Sequence, residues 1–235
     1  DTCKTAYIEL MENARAMLDA CYNDPESPQE EVVEMQNVVD DIVTGWEQGT
    51  FSTEEARNME AIKNTAFYRR YFQGAPALKG GFYQLATASD MVWFSNNVNS
   101  LGNTQLNAEI VAPIDLAESQ YAPIGSEATP YAGIFKGNLY PITNANMMIF
   151  GTTQGATIDG INVQGGSVGG SDNAPHTGSI CGLFQGTMTR CYSNATVENG
   201  KGDCGGLIGK IKNNSTVKNC MFAGNLLSGW SAGLV

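Results

Sequence analysis

The sequence predicts a two-part protein: a small all-α helical bundle (residues 1–75), then a parallel β-helix (residues 76–235), a β-solenoid for which we expect a right-handed coil. Three observations predict this division. Residues 1–75 carry 15 acidic and 6 basic side chains but only 3 of the 27 glycines. Apolar residues of this first part recur at helical spacing. The glycine-rich second part instead contains a repeat of about 24–30 residues.

The first part is predicted to be an acidic bundle of three helices. Apolar residues between positions 7 and 21 fall on one face of the first helix. The stretch SPQE (27–30) is typical of a helix start, with an N-cap, a proline at the first helical position and a capping-box acid. A second capping box in STEE (52–55) predicts a third helix that extends to Phe67.

The second part contains three segments that superimpose, with threonines spaced 30 and 29 residues apart in the first column. The aligned columns are Thr157, Thr187 and Thr216; Ile158, Met188 and Val217; and Ile161, Cys191 and Cys220. Such a unit, rich in β-branched residues, Gly and Asn, is typical of one coil of a solenoid. Equivalent residues of neighbouring coils then stack about 4.8 Å apart. The repeat length predicts about five coils.

The alignment also predicts the surroundings of particular side chains. Cys191 and Cys220 are expected to be buried thiols of an inward-facing column, although their stacking distance also permits a disulfide. Asp159 is assigned to the outward column that holds Arg190 and Asn219. A second marker, glycine followed by leucine and an apolar residue, aligns residues 182–184, 206–208 and 233–235.

The stretch CGGLIGK (204–210) has some features of a phosphate-binding loop. Such a loop needs a glycine, four residues, and then Gly-Lys followed by Ser or Thr, so that backbone amides surround the phosphates and the hydroxyl binds Mg²⁺. Counting back from Gly209, the first glycine position holds Cys204, and Ile211 follows Lys210. We therefore interpret this stretch as a solenoid turn.

Several further segments occur in a fixed order. They are YQLATASDMVWFSNNVN (83–99), APIDL (112–116), YAPIG (121–125), YAGIFKGN (131–138), GGLIGK (205–210) and AGLV (232–235). This order resembles that of the GLUG-repeat, adhesin-like surface proteins of gut Bacteroides. Residues 112–113 depart from the first acid of the family's Asp-Ile-Asp-Leu block, and Tyr121 replaces the tryptophan of its Trp-x-Pro-Ile-Gly turn.

The resemblance implies a parallel β-helix on an exported protein at the cell surface, with its signal removed and a lipid anchor in the outer membrane. Similar repeats also accompany the bacterial IgA-cleaving metallopeptidases as non-catalytic neighbours. We interpret the start at Asp1 as a processed or trimmed form, and we expect either further repeats or a cap after Val235, or a disordered tail.

An enzymatic function is weighed against a binding function. Parallel β-helices also occur in polysaccharide lyases and glycoside hydrolases, and glycoside hydrolysis requires two carboxylates about 5–10 Å apart. Acids are sparse in the repeat region. The only histidine, His176, excludes the H-E-x-x-H motif of metallopeptidases and follows no G-x-S-x-G elbow. We therefore expect no catalytic residue, no cofactor and no metal site, although calcium at Asp172 or Asn173 is an alternative.

Two groups of residues are candidates for ligand binding. The first lies in the longest irregular insertion, residues 165–178, where His176 is predicted to be a surface loop residue. The second group consists of aromatic side chains near Asn-rich turns, for which the alternative is a place in the core. The candidates are Asp172, Asn173 and His176 in the insertion, and Tyr121, Tyr131, Tyr140 and Tyr192 among the aromatics.

These observations favour a non-enzymatic, adhesin-like surface protein that binds glycans or host and matrix proteins through its solenoid. A carbohydrate-active enzyme of the β-helix type and a structural stalk are the alternatives. The net charge of −11 argues against nucleic acid as a partner, because phosphate backbones require a basic face. No apolar run approaches the roughly 20 residues of a membrane-spanning helix.

Overall fold

The computed structural model describes residues 2–22, 27–47, 55–169, 175–198, 202–227 and 231–233. The chain divides into two compact units, residues 1–81 and residues 82–235. A few N-terminal helices are followed by a parallel β-solenoid of about five turns, as the sequence predicts. Over the described ranges, no helix combines the length and the apolar character needed to cross a membrane.

The first unit is helical, with one short strand after its last described helix. The bounds are α1 (Thr2–Tyr22), α2 (Gln29–Glu47), α3 (Glu55–Lys63), α4 (Ala66–Tyr71) and β1 (Leu78–Lys79). Helix α2 begins directly after Pro28, whose fixed φ suits the first helical turn. Ser52, the predicted cap of the third helix, lies outside the described residues. The apolar helix faces form the core, which includes Tyr7, Ala14, Leu18, Val32, Met35, Val39, Ile62 and Phe67.

The prediction of one continuous third helix through Phe67 is wrong, because the chain leaves the helical conformation at Thr65. This residue is extended, at φ −72° and ψ 151°. Its Oγ1 accepts a hydrogen bond from the backbone N–H of Tyr68 at 3.0 Å and donates one to the carbonyl of Ile62 at 2.7 Å. Thr65 thus ends α3 and caps α4, and α4 buries Phe67 and Tyr71.

The second unit contains one helix and twenty strands within its described residues. They are β2 (Phe82–Leu85), α5 (Ala88–Leu101), β3 (Ala108–Ile110), β4 (Ile114–Asp115), β5 (Ile134–Lys136), β6 (Pro141–Thr143), β7 (Phe150–Thr152), β8 (Ala156–Asp159), β9 (Asn162–Gln164), β10 (Ser167–Gly169), β11 (His176–Thr177), β12 (Cys181–Phe184), β13 (Gly186–Thr189), β14 (Tyr192–Ser193), β15 (Thr196–Glu198), β16 (Asp203–Gly205), β17 (Ile208–Ile211), β18 (Thr216–Lys218), β19 (Met221–Phe222), β20 (Asn225–Leu227) and β21 (Ser231–Ala232).

Strands β2, β3, β5, β8, β13 and β18 stack in parallel into the longest sheet of the solenoid. Their inward-facing register partners are 23–30 residues apart in sequence, namely Tyr83, Ala108, Phe135, Ile158, Met188 and Val217. The predicted threonine column, residues 157, 187 and 216, is confirmed by the same pairings. Residues at the same place in successive coils thus build a continuous apolar column.

Four shorter sheets complete the coils. One consists of β4, β6, β9, β14 and β19 in this order, and the others are β10-β15-β20, β11-β16-β21 and β7-β12-β17. The strand pairs of these sheets are parallel. The inner column of the five-stranded sheet contains Ile142, Val163 and Ser193 of neighbouring coils, all of which are fully buried.

Asp159 lies one position away from the column to which the sequence alignment assigns it. It pairs in register with Thr189, and Arg190 aligns with Gly160. Gly160, Arg190 and Asn219 have φ values of 67°, 55° and 55°, so they mark the same left-handed corner in three consecutive coils. This conformation is common for Gly and Asn but rare for Arg. The residue type of Arg190 therefore does not indicate that it occupies the same corner as Gly160 and Asn219.

The second predicted marker, glycine followed by leucine and an apolar residue, is also misaligned: residues 182–184 and 206–208 are not equivalent in the structure. Cys181 pairs with Ile208, which aligns Gly182 with Gly209 rather than with Gly206. A coil contains more than one glycine followed by leucine or another apolar residue. An alignment by residue type alone can therefore match positions that are not equivalent. The stretch 204–210 forms the end of β16, a bend and part of β17. It is a solenoid segment, as predicted, since the bend leads into strand β17, whereas a phosphate-binding loop leads into a helix.

Helix α5 contributes aromatic side chains to the core of the first coils. Thr87 caps it, and Asp90 completes a capping box. The Phe94 ring lies 5.7 Å from that of Phe135 and 6.0 Å from that of Tyr131, in edge-to-face geometry. Such aromatic pairs stabilise a core beyond the area that they bury. Phe94 thereby packs helix α5 against two aromatic residues of the first coils, Tyr131 and Phe135.

Asp159 is expected to make the stability of the solenoid dependent on acidic pH. It accepts hydrogen bonds from Arg190 Nε at 2.9 Å and from Thr189 Oγ1 at 2.6 Å. The Arg190 hydrogen bond is the main cause that lowers the pKa of this carboxyl. A lowered folded-state pKa stabilises the fold above the unfolded pKa, near 3.9, and this contribution disappears as the pH falls through the folded pKa.

Urea unfolding followed by circular dichroism between about pH 5 and pH 2 tests this dependence. We expect the wild-type chain to lose more unfolding free energy over this range than Asp159→Asn, by a small amount, because solvent screens the exposed pair. Glu198→Gln, which removes an exposed carboxylate from another sheet, is the control. Equal pH slopes for wild type and Asp159→Asn would contradict the prediction.

Candidate binding surface

The three candidates in the insertion have different outcomes. Asp172 and Asn173 lie outside the described residues, so their role stays a prediction. His176 is the first residue of β11, and its side chain is only 16% exposed. The prediction of a surface loop histidine is wrong, because residues 176–177 join the parallel ladder of β11 and β16.

His176, Asp203 and Lys210 form a polar cluster, which we call the His176 cluster. Asp203 is the register partner of His176. Its Oδ2 lies 3.0 Å from His176 Nδ1 and 3.5 Å from Lys210 Nζ. The histidine contact has the distance of an ion pair but not the geometry of a hydrogen bond. Among the described residues, no hydroxyl is hydrogen-bonded to His176, and the cluster consists of an imidazole, a carboxylate and an ammonium group.

Tyr121 and Tyr131 belong to the core, which corrects their prediction as surface aromatics. Their exposed fractions are 3% and 0%. The Tyr121 hydroxyl donates to the carbonyl of Met147, and that of Tyr131 donates to the carbonyl of Leu106 at 2.9 Å. Burial raises the pKa of both phenols. Buried tyrosines with satisfied hydroxyls are part of the packing, so neither ring contacts a ligand on the surface.

Tyr140 and Tyr192 keep part of their surface accessible. Tyr140 is 38% exposed and precedes β6. Tyr192 is half-buried in β14 and points to the outside of the coil, since the next residue, Ser193, is buried. Its register partners are Asn162 in the preceding coil and Met221 in the following one. Tyr192 is therefore an aromatic side chain on a flat sheet surface between two accessible neighbours.

We call the outer surface of the sheet β4-β6-β9-β14-β19 the Tyr192 face. Its side chains are Asp115, Pro141, Thr143, Asn162, Gln164, Tyr192, Asn194 and Met221. Met221 is 57% exposed, and Gln164 and Asn194 are exposed as well. The face thus combines one aromatic ring and one thioether with amide and hydroxyl groups, and it has a single carboxylate near its first strand.

Several polar groups of the Tyr192 face are held in place by hydrogen bonds. Asn162 Nδ2 donates to the carbonyl of Leu139 at 2.9 Å, and Gln164 Nε2 donates to Asn162 Oδ1 at 3.3 Å. Asp115 Oδ1 accepts from the backbone N–H of Ala117 at 3.0 Å and from Asn144 Nδ2 at 2.8 Å. These two hydrogen bonds lower the pKa of Asp115. Side chains that are already ordered lose less entropy when a ligand binds.

Comparison with known proteins finds no family model, no curated protein and no solved structure that matches the chain. The resemblance to GLUG-repeat proteins therefore stays a prediction.

The sequence analysis missed most of the Tyr192 face. Of its members it proposed only Tyr192, and it did not consider Asn162, Gln164 or Met221 as binding residues. The signal was present, because these residues lie one and three positions after the column of Ile161, Cys191 and Cys220. Extending that column along the coil aligns Asn162, Tyr192 and Met221.

Metal binding requires a cluster of ligands, and acid–base chemistry of the glycosidase type requires a pair of carboxylates. Across the described ranges, no three His, Cys, Asp or Glu side chains are placed to hold a metal ion. The register partners of Asp159 are Lys136 and Thr189, and that of Asp115 is Thr143. Neither aspartate thus has a carboxylate as its direct partner in an adjacent coil. The expectations of no cofactor and no catalytic residue stay predictions.

Proposed function

We propose that this chain is a non-enzymatic, adhesin-like binding protein whose solenoid binds glycans or glycan-bearing host and matrix proteins. The observation that carries the proposal is the position of Tyr192 between Asn162 and Met221 on the outer side of three consecutive coils. An aromatic ring offers an apolar plane, and the amides on either side offer donors and acceptors for hydroxyl groups.

The chemistry of the Tyr192 face favours a neutral, hydroxyl-rich ligand. Asn162, Gln164 and Asn194 provide amide groups without net charge, and Asp115 near the first strand disfavours strongly anionic chains. A ligand lying across the stacked strands meets equivalent positions about every 4.8 Å. A polymer with a regular repeat can contact several coils in this way. Repeated weak contacts then add up to useful affinity.

The arrangement of carboxylates favours binding over the alternative of a β-helix enzyme. Glycoside hydrolysis by paired carboxylates needs two acids on either side of one bond. Asp159 is engaged with Arg190 and Thr189, and Asp203 is shared by His176 and Lys210. Both carboxylates already have hydrogen-bond or ion-pair partners within the fold.

We further propose export and display at the cell surface, as the resemblance to surface adhesins implies. A β-solenoid presents a long, regular surface on a rigid scaffold, which suits a protein that contacts extended ligands outside the cell. Immunolabelling of intact cells that express the chain tests this part of the proposal. Labelling only after cell lysis would contradict it.

Tyr192→Ala is expected to reduce glycan affinity at least about tenfold, because truncation of a central aromatic residue removes a typical binding hot spot. The full chain and the variant are compared on an array of mucin glycans, plant polysaccharides and matrix proteins. Tyr22→Ala is the matched control, since Tyr22 is a 67% exposed tyrosine in the helical unit. It is expected to bind like the wild type.

The same array distinguishes the alternatives. Saturable binding without release of reducing ends, weakened by Tyr192→Ala and not by Tyr22→Ala, supports the proposal. Release of reducing ends would favour the carbohydrate-active enzyme. No binding to any spot would favour the structural stalk. Binding that both variants retain in full would remove the Tyr192 face as the site.

A further inference from the structure

Cys191 and Cys220 occupy the same position in two consecutive coils. Thr189 pairs with Lys218 two residues before them, and Tyr192 pairs with Met221 directly after them. Adjacent strands of a sheet are about 4.8 Å apart, which falls within the Cα separation of roughly 4.4–6.8 Å that a disulfide spans. The backbone therefore already has the spacing that a bond between these two sulfurs requires.

The Cys220 sulfur lies toward the coil that contains Cys191. It is 3.5 Å from the backbone nitrogen of Cys191 and 3.9 Å from the carbonyl oxygen of Met188, both in the preceding coil. The Cys191 sulfur lies 3.2 Å from the carbonyl oxygen of Thr189 in its own coil. Each thiol is thus held at the corner of the coil, and that of Cys220 bridges the gap between the coils.

The two thiols differ in exposure and in acidity. Cys191 is 1% exposed, whereas Cys220 is half-buried. Their mutual hydrogen bond is the main cause that lowers the pKa of Cys220 to about 6 and raises that of Cys191, and burial raises the pKa of Cys191 further. Cys220 is therefore the more accessible and more acidic of the two thiols, the one that more readily gives the thiolate that attacks disulfides, and Cys191 is the resolving thiol.

The other described cysteines of the solenoid do not have a cysteine as a register partner in an adjacent coil. Cys181 pairs in register with Phe150 and Ile208, and Cys204 pairs with Thr177 and Ser231. Within the described part of the solenoid, residues 191 and 220 are thus the one pair of cysteines in direct register.

We propose that Cys191 and Cys220 are a redox modification site, at which exchange with a low-molecular-weight disulfide such as oxidised glutathione forms a reversible bond between two consecutive coils. The Cys220 thiolate attacks one sulfur of the oxidant, forms a mixed disulfide and releases one thiolate. Cys191 then loses its proton to the released thiolate or to water and attacks the Cys220 sulfur, which releases the second thiolate. The two protein thiols are oxidised, and one small disulfide is reduced to two thiols.

The bond would fix the later coil to the earlier one at a corner where β18 meets β19. Val217 and Phe222 of the later coil are only half-buried, whereas Met188 and Ser193, their register partners, are fully buried. The later coil thus has less packing to hold it. A covalent link restricts the unfolded ensemble of this segment, so oxidation is expected to slow amide exchange over residues 216–227 at least about tenfold.

Peptide mapping of the full chain tests the proposal. The protein is incubated with oxidised glutathione, quenched in acid, alkylated under denaturing conditions and digested with trypsin without reductant. Cleavage after Arg190 and Lys218 separates the two cysteines. We expect peptide 191–201 to be linked to peptide 219–235, and the link to disappear with dithiothreitol. Peptide 202–210, which contains Cys204, is expected to be recovered alkylated.

Three variants test the order of events. Cys191→Ala is expected to stop at the mixed disulfide and retain glutathione on Cys220. Cys220→Ala is expected to leave Cys191 unmodified, since that thiol is buried and protonated. Cys204→Ala, the control, is expected to form the 191–220 link as the wild type does. The proposal is overturned if the wild type keeps all thiols reduced, accumulates glutathione on Cys220 without the link, or joins Cys220 to Cys204 or to a second chain.

Discussion

Phe135→Ala is expected to lower the unfolding free energy of the solenoid by about 3–5 kcal/mol, the usual cost of truncating a fully buried phenylalanine. Phe135 is 0% exposed and lies in the inner column of the longest sheet, between Ala108 and Ile158. Its ring contacts those of Phe94 and Phe150 edge to face, at centroid distances of 5.7 and 5.1 Å. Alanine would leave a cavity between helix α5 and two coils.

Ile134→Ala is the matched control for this substitution. Ile134 precedes Phe135 on the same strand, points outward and is 39% exposed. Its truncation is therefore expected to lower the unfolding free energy of the solenoid by only about 0.5–1 kcal/mol. Urea unfolding monitored by hydrogen exchange separates the solenoid from the helical unit. Similar losses of protection over residues 106–160 in both variants would show that the inner column does not carry the stability of these coils.

The columns of the repeat explain why the fold class was predictable from sequence. Thr157, Thr187 and Thr216 recur at a constant interval, and a parallel solenoid converts such an interval into direct stacking. The apolar residue that follows each threonine is buried or half-buried in the structure. The period of the sequence shows which residues occupy the same place in successive coils. In a solenoid, those residues also stack directly on one another.

Prediction failed where a single residue broke the local rule. Arg190 adopts a left-handed conformation that is typical of Gly or Asn. Its residue type therefore does not identify it as a corner residue, and Asp159 is assigned one position away from its register partner, Thr189. Thr65 ends α3 because its hydroxyl is hydrogen-bonded to two backbone groups, each three residues away along the chain, a local arrangement that helix propensity does not predict. Both errors come from local geometry rather than from the hydrophobic pattern.

The candidate site was less predictable than the fold, because a binding surface depends on which side of a strand faces outward. The sequence predicts Tyr121 and Tyr131 as surface candidates together with Tyr192, because nothing in their residue type distinguishes them. Register decides the difference: Tyr131 bridges to Thr153 of the next coil and stacks on Phe150. Tyr192 is one residue away from the buried Ser193, so the period of two along a strand turns it outward.

Gly125→Ala is expected to lower the unfolding free energy of the solenoid by about 2–5 kcal/mol, of which about 1–2 kcal/mol is left-handed strain and about 1–3 kcal/mol is steric overlap. Gly125 has a φ of 81°. A Cβ there would lie 2.2 Å from the carbonyl oxygen of Thr152 and 2.7 Å from the backbone nitrogen of Tyr131. Both atoms belong to backbone that is hydrogen-bonded between coils, since Tyr131 N donates to Thr152 O at 3.0 Å.

Gly155→Ala isolates the steric contribution, because Gly155 has nearly the same φ, 80°, and no atom within 4 Å of the Cβ position. It is expected to cost about 1–2 kcal/mol from conformational strain alone. The difference between the two variants in urea unfolding therefore measures how tightly the coils approach at Gly125. Equal costs would mean that the coils separate there without penalty. A larger cost at Gly125 would instead show that the Pro-Ile-Gly turn needs glycine for the close approach of two backbones as well as for its φ.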